Sequence, residues 1–262
     1  MFLIGCRRVP SSVEVVQLEA HKPEDILDFR DSLVSPVAYD IRFQLDTIPV
    51  MERKELFIRI MLPAILVERY RLLIDFHRLE RLAIKSPKKY SRSDRLFLER
   101  LRKIYHTSDF GELEQKVFPH PVSIALAQAA IESGWGTSRF FREGNNPFGI
   151  WSFDQSRPRM PAGNTRGDDT VYVRRYHNIS DAVHDYFLIL ANGPYQKFRA
   201  ARLRGEDINQ LLFYLDNYSE DGRVYGQKIN DVIRHNRLNA YNLYSLDPDR
   251  IKSRWVPVWK QP

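Results

Sequence analysis

The stretch ALAQAAIESGWGTSRFFREGNNPFGIW, residues 125–151, decides how this chain is interpreted. Small and apolar residues fill its first part up to one carboxylate, Glu132, which stands where the apolar run ends. Pro121 suits the start of a helix, and Gly134 suits the residue just past a helix end. The sequence therefore predicts a helix over 122–133 that carries Glu132 in its last turn.

The predicted helix places Glu132 in a packed environment. Ile124, Gln128 and Glu132 lie on one line because residues four apart share a helix face. The last turn of a helix carries partial negative charge, and apolar surroundings disfavour ionisation, so we expect the pKa of Glu132 to be raised. A carboxylic acid that stays protonated near neutrality suits general acid catalysis. An ion pair with Arg139 or Arg142, or exposure to water, is the structural alternative.

Composition indicates a folded protein with a basic surface. The chain has 262 residues, 43% hydrophobic and 28% charged, which suits one domain with an appendage or two small domains. The net charge of +7 favours a polyanionic partner: nucleic acid, an anionic membrane or an acidic wall polymer. No block of Lys and Arg is interleaved with aromatic residues, so we expect no nucleic-acid partner.

We expect neither a metal nor an organic cofactor. The seven histidines show no metal-ligand spacing. The chain also contains no Gly-rich phosphate loop and no Ser-centred nucleophile elbow.

The single cysteine, Cys6, excludes an intrachain disulfide. It ends the sequence LIGC, residues 3–6, which resembles the site at which bacterial lipoproteins are cleaved and acylated. Only five residues precede Cys6, whereas an export signal needs an apolar stretch of roughly 7–15 residues. Two interpretations stay open: a chance match, or a start inside a longer gene whose product is tethered to a membrane through Cys6.

The pattern of apolar residues, Pro and Gly predicts a mainly α fold with one small β hairpin, which is an α+β class. Helical periodicity runs through 51–85, where Pro63 is expected to kink or split the helix. The hairpin is expected to pair GIWSF, residues 149–153, with TVYVRRY, residues 170–176. The predicted organisation is a tether over 1–22, a helical region over 23–115, a main domain over 116–245 and a tail over 246–262.

The motif over 125–151 resembles the glucosaminidase family of bacterial peptidoglycan hydrolases, glycoside hydrolase family 73, and within it the Bax-like branch. The resemblance rests on Glu-Ser-Gly-Trp-Gly after a helix and Asn-x-Phe-Gly before a β element. It continues through YHNISDAVHDYFLIL, NGPYQKFRAAR and NYSEDGRVYGQKI, residues 176–190, 192–202 and 217–229. A weaker match covers RKELFIRIMLPAILVE, residues 53–68.

This resemblance implies a lysozyme-like fold, preceded by an N-terminal helical region, with a cleft between a helical lobe and a small β lobe. It implies hydrolysis of the β-1,4 bond after N-acetylglucosamine in peptidoglycan, with Glu132 as the general acid. Peptidoglycan strands would be the partner, and the periplasm or cell envelope the location. Two alternatives stay open: a non-catalytic glycan-binding or scaffold protein on the same fold, and a muramidase or lytic transglycosylase.

The identity of a second catalytic carboxylate is open. The resemblance places it on the hairpin, where Asp168 and Asp169 directly precede the second strand. Asp154 and Glu143 are further candidates. Each aspartate of the RGDDT sequence could instead cap a loop. The acetamido group of the substrate, oriented by a carboxylate or a tyrosine, is a further alternative.

Side chains within the matched motifs are the candidates for binding sugars. Aromatic rings can stack on sugars, although a single aromatic residue is more often part of a core. We expect Asn146 and Gly149 to build the turn at the cleft floor, and Gln128 to orient Glu132 or a sugar group. The expected substrate-binding residues are Gln128, Trp135, Asn146, Phe148, Gly149, Trp151, Tyr176, Tyr218 and Tyr225.

Overall fold

A computed structural model describes the backbone of residues 5–166, 169–215 and 223–258, and the side chains of residues 12–163, 170–215 and 224–251. The helices are α1 (Val50–Ala83), α2 (Arg92–Tyr105), α3 (Phe110–Val117), α4 (Val122–Ser133), α5 (Arg139–Gly144), α6 (Ile179–Asn192), α7 (Gln196–Leu203), α8 (Ile208–Leu212) and α9 (Arg223–His235). The strands are β1 (Gly5–Val13), β2 (Val16–Ala20), β3 (Leu33–Val34), β4 (Val37–Ile41), β5 (Arg159–Arg166), β6 (Asp169–Arg174), β7 (Ser245–Leu246) and β8 (Ile251–Val258). The predicted fold class, mainly α with a small β hairpin, is confirmed.

Helix α1 is the structural axis of the molecule. It runs unbroken for 34 residues and packs against α3, α4 and α6. Pro63 neither splits it nor ends it, contrary to the sequence expectation. A proline inside a helix costs about 3 kcal/mol, but here every residue of 56–68 except Arg59 is buried. Burial on all sides offsets the missing hydrogen bond.

One hydrophobic core joins the N-terminal region to the predicted main domain. Tyr39 and Phe57 come from the first part of the chain, whereas Ala129, Tyr186 and Ile229 come from the second, and all five are buried in the same cluster. A second cluster holds the far half of α1 against α2, α3 and α6. The domain boundary at 115/116 stays a prediction, and the two segments on either side of it share a core.

The described residues near both ends of the chain include strands, and the tether over 1–22 and the tail over 246–262 stay predictions. Strand β1 pairs antiparallel with β8, from Gly5 opposite Val258 to Val13 opposite Ile251. Strand β2 pairs in parallel with β4. Residues 23–25, where the predicted helical region begins, form a single 3-10 turn. Strands β1 and β8 lie more than 200 residues apart, so no local pattern in the sequence indicates their pairing.

The first strand of the β hairpin lies further along the chain than expected, whereas β6 overlaps the predicted second strand over 170–176. Its first strand is β5, RMPAGNTR, and Met160 faces Val173 of β6. A shift of register between Pro161 and Thr165 accommodates the Pro and Gly that suggested a loop. The GIWSF segment contributes only a single bridge, from Trp151 to Val173. Helix α8 ends at Leu212, and residues 216–222 lie outside the described ranges.

No helix in the described ranges combines the length and the apolar character that a membrane crossing needs.

The shared core predicts that residues 116–245 do not fold alone. Without α1, the side chains that contact Phe57 and its neighbours would lie in water. We expect the fragment to lack near-ultraviolet circular dichroism and cooperative urea unfolding, both of which the full chain should show. In the full chain, Phe57→Ala should lower the free energy of unfolding by about 3–5 kcal/mol. Cooperative unfolding of the isolated fragment would contradict this prediction.

Candidate active site

The end of α4 holds Glu132 in a turn of fixed shape. The predicted bounds of this helix are confirmed, and Gly134 beyond its last residue has a φ of 58°. Ser133 Oγ donates to Ala129 O at 2.6 Å and accepts from Gly136 N at 2.9 Å. A Cβ on Gly136 would lie 2.6 Å from Leu45 Cδ1, so only glycine lets the turn approach the N-terminal region this closely.

Glu132 ends a chain of hydrogen bonds that runs through three helices. Tyr186 Oη on α6 donates to Gln128 Oε1 at 2.6 Å. Gln128 Nε2 donates to Tyr225 Oη on α9 at 3.2 Å. Tyr225 Oη then donates to Glu132 Oε1 at 2.8 Å. The expected role of Gln128 as an orienting group is thus indirect, because Tyr225 lies between it and Glu132.

Both tyrosines of this chain are neutral phenols that donate hydrogen bonds in this structure. Gln128, Tyr186 and Tyr225 are all buried, whereas Glu132 is half-buried. Burial raises the pKa of both phenols, and the charge of Glu132 raises that of Tyr225 further. Both hydroxyls therefore stay protonated and donate hydrogen bonds, Tyr186 to Gln128 and Tyr225 to Glu132.

Tyr186 was not among the residues predicted from the sequence. Its hydroxyl was the available signal, since a tyrosine on the buried face of an apolar helix needs a polar partner. Phe148 stacks on its ring with centroids 4.0 Å apart and planes inclined by 3°. Phe148 is itself buried, so its ring packs on Tyr186 and does not face solvent.

The Asn146 side chain stabilises the loop between α5 and the hairpin through three hydrogen bonds. Its Nδ2 donates to Ile150 O and Arg174 O, each at 3.0 Å, and its Oδ1 accepts from Ile150 N at 3.0 Å. Gly149 has a φ of 62°, which few other residues tolerate. Both residues therefore build the turn, as the sequence suggests.

Trp135 contacts the N-terminal region. Its ring meets Phe57 edge-on at 5.7 Å, and Lys54 Nζ lies 4.9 Å from its centroid. Lys54 Nζ also donates to Asn236 Oδ1 at 2.9 Å, which links the start of α1 to the residue that follows α9. The ring thus has a packing role between α1 and the turn after Glu132.

Two exposed aromatic side chains lie beside the hairpin. Trp151 is 40% exposed and Phe153 is 85% exposed, with centroids 6.2 Å apart. Phe153 was not among the predicted residues. Tyr176 is half-buried near the ion pair of Arg174 and Asp185, and burial raises its pKa.

The structure gives several charged candidates other partners. Asp154 Oδ1 accepts from Ser156 N at 2.9 Å and Ser156 Oγ at 2.6 Å, and these bonds lower its pKa. Glu143 Oε2 lies 3.6 Å from Arg139 Nη1. Arg142 was a candidate partner of Glu132. Its Nη1 lies 2.9 Å from Asp46 Oδ2, with which it forms an ion pair.

Three predicted residues fall at the limits of the described chain. Asp168 and Tyr218 lie outside the described residues, and the side chain of Asp169 at the start of β6 does too. Within the described ranges, no three His, Cys, Asp or Glu side chains are grouped as a metal site would require.

The hydrogen-bond chain predicts a stability cost for Gln128→Leu. Leucine leaves the Tyr186 hydroxyl without its acceptor and the Tyr225 hydroxyl without its donor. Each buried polar group that loses a partner costs about 1–3 kcal/mol. We expect the free energy of unfolding in urea to fall by about 2–4 kcal/mol. The exposed Gln227→Leu is the matched control, and equal effects of the two substitutions would contradict the prediction.

Comparison with known proteins identifies the domain that carries this site. Residues 109–238 match the family model Glucosaminidase, described as mannosyl-glycoprotein endo-beta-N-acetylglucosaminidase. The chain is 27% identical over 135 residues to Protein bax of Escherichia coli strain K12, a match that covers 49% of this chain and 47% of that protein. It therefore spans about half the length of this curated relative.

One solved structure is also similar to this chain. The catalytic domain of the autolysin Auto from Listeria monocytogenes aligns with 63% of this chain and 95% of that domain, at 21% identity and a TM-score of 0.40. The family match covers Gln128, Glu132, Tyr186 and Tyr225, the four residues of the hydrogen-bond chain. Residues 109–238 thus carry a match to the glucosaminidase family, and the chain is similar to Protein bax.

Proposed function

We propose that this protein hydrolyses peptidoglycan as an endo-β-N-acetylglucosaminidase, with Glu132 as the general acid. The observation that carries the proposal is the hydrogen bond from Tyr225 to Glu132, at the end of a buried polar chain. It fixes a half-buried carboxylate at the end of a packed helix, within a domain whose family description names an endo-β-N-acetylglucosaminidase. Protonation of the leaving oxygen by such a carboxyl group is the first step of glycoside hydrolysis.

The hydrogen-bond chain suits both protonation states of a general acid. With Glu132 ionised, the bonds run from Tyr186 to Glu132. With Glu132 protonated, we infer that they reverse: Glu132 donates to Tyr225, Tyr225 to Gln128, and Gln128 to Tyr186. A glutamine permits the reversal because its amide has a donor and an acceptor that exchange places when the group turns over.

The second carboxylate of the proposed mechanism is Asp168 or Asp169. Asp154 is a weaker choice because Ser156 and Arg157 already engage its oxygens. The exposed rings of Trp151 and Phe153 are the stacking surfaces that we propose for sugar units. A lysozyme-like cleft between the helices and the hairpin, and a location in the cell envelope, follow from the same proposal.

Digestion of purified peptidoglycan tests the acid and the bond that is cut. We expect wild-type products with reducing N-acetylglucosamine ends, identified by mass spectrometry. Glu132→Gln should reduce the rate by at least about a hundredfold with its fold retained, since it cannot donate the proton. Glu99→Gln, an exposed acid on α2, is the matched control and should keep full activity.

The same digestion distinguishes the alternatives. Reducing or anhydro N-acetylmuramic ends would replace the proposed reaction by that of a muramidase or a lytic transglycosylase. Binding to the wall without any product from the folded wild type would favour a binding protein. Asp168→Asn and Asp169→Asn belong to the series, and loss of rate in one of them identifies the second carboxylate.

The hydrogen-bond chain also predicts a kinetic effect of Tyr186→Phe. Phenylalanine keeps the ring stack on Phe148 and removes only the hydroxyl that orients Gln128. Because the loss of one hydrogen bond is worth about 1 kcal/mol, we expect kcat to fall about fivefold with KM unchanged. Steady-state kinetics on a soluble glycan fragment would measure both constants. A change in KM alone would show that Tyr186 does not act through Glu132.

A further inference from the structure

The positive charge of the protein is concentrated in residues 68–105. This segment holds twelve Lys or Arg residues and five Asp or Glu residues, a formal charge of +7. The whole chain also has a net charge of +7, so the other residues, with 28 cations and 28 anions, are neutral overall. The segment covers the second half of α1 and all of α2, and it precedes the family match at 109–238.

Side-chain bonds fix the turn between α1 and α2. Tyr90 Oη donates to Leu82 O at 3.0 Å. Lys85 Nζ donates to Asp94 Oδ2 at 2.9 Å. Both contacts span the short 3-10 helix Pro87–Lys89. The turn that joins α1 to α2 is therefore held in one conformation by side-chain contacts.

Four exposed cations at this end have no ion pair within the part of the chain that the structure describes. They form what we term the cationic tip: Lys88, Lys89, Arg92 and Arg95. The one acid among them, Asp94, is neutralised by Lys85 and by Arg78, whose Nη2 lies 3.3 Å away. The hydrogen bond from Lys85 lowers the pKa of Asp94, with backbone and side-chain bonds from Ser91 adding to the effect. The cationic tip thus presents four positive charges to solvent, and the next exposed acid is Glu99, one helical turn after Arg95.

Two apolar side chains are exposed next to the cationic tip. Ile84 follows the last residue of α1 and is 60% exposed. Leu96 follows Arg95 on α2 and is 57% exposed. Exposed apolar side chains among unpaired cations are typical of segments that lie on anionic membranes, where the cations meet headgroups and the apolar groups enter the interface.

We propose that the cationic tip docks this protein on a membrane surface that carries anionic lipid headgroups, with Ile84 and Leu96 entering the headgroup region. Each Lys or Arg held near such a surface strengthens binding. An acidic wall polymer or a nucleic acid would use the same charges but would leave Ile84 and Leu96 in water, which is why a lipid surface fits better. The proposal concerns a surface outside the family domain and does not depend on the proposed activity.

Sedimentation of the full chain with vesicles tests this inference. The probes are vesicles of phosphatidylcholine alone and vesicles with about 30% phosphatidylglycerol, at about 0.1 M salt, where charges still act over about 10 Å. We expect binding to the anionic vesicles only, and its loss in high salt. Replacement of all four residues of the cationic tip by Gln should weaken binding about tenfold or more. Ile84→Ser, which changes no charge, should weaken it about threefold.

A matched variant separates this surface from general charge. Lys22, Arg175, Lys197 and Arg234 are exposed and have no ion pair among the described residues, so their replacement by Gln removes the same four charges elsewhere. This control should bind anionic vesicles nearly as the wild type does. Equal losses in the two variants, equal binding to both kinds of vesicle, or no binding would overturn the proposal. Unchanged binding of Ile84→Ser, or binding to duplex DNA that outcompetes the vesicles, would also overturn it, in favour of another polyanion.

Discussion

A buried amide must satisfy both of its ends, and this requirement at Gln128 determines the arrangement around the candidate active site. Its oxygen needs a donor and its nitrogen needs an acceptor, because an unpaired polar group inside a protein is costly. Tyr186 on α6 and Tyr225 on α9 supply these two partners. Helices α6 and α9 are thereby held at fixed spacing against α4, and Tyr225 brings the polar chain to Glu132. The position of the proposed acid thus follows from a packing constraint that acts one helical turn before it.

Helix α1 makes this arrangement depend on sequence outside the family match. Its buried first half contributes Phe57, which contacts both Trp135 and Phe141 on either side of the Gly136 turn. Gly136 lets Leu45 approach the same turn. The segment after Glu132 is therefore supported from the N-terminal region, and the family domain is one part of a larger core.

Local signals in the sequence were sufficient for the helix that carries Glu132. Pro121 and Gly134 gave both of its ends. Pairing between distant segments gave no such signal. The β1–β8 ribbon joins the two ends of the chain, and β5 contains Pro161 and Gly163, which locally favour a loop. The effect of Pro63 was misjudged for the same reason, since its cost is offset by tertiary contacts that no local pattern reveals.

At the candidate site, too, local sequence patterns predicted which residues matter but not which of them are in contact. Helix spacing placed Gln128 and Glu132 on one face, and the motif resemblance selected Tyr225 and Asn146. Neither could show that Gln128 reaches Glu132 only through Tyr225, because that contact requires α9 to pack against α4. Phe148 and Trp135 illustrate the converse: their motif positions suggested sugar contacts, yet their rings pack on Tyr186 and Phe57. A polar residue inside an apolar helix therefore indicates that a partner exists, whereas the identity of the partner is decided by the packing of the helices.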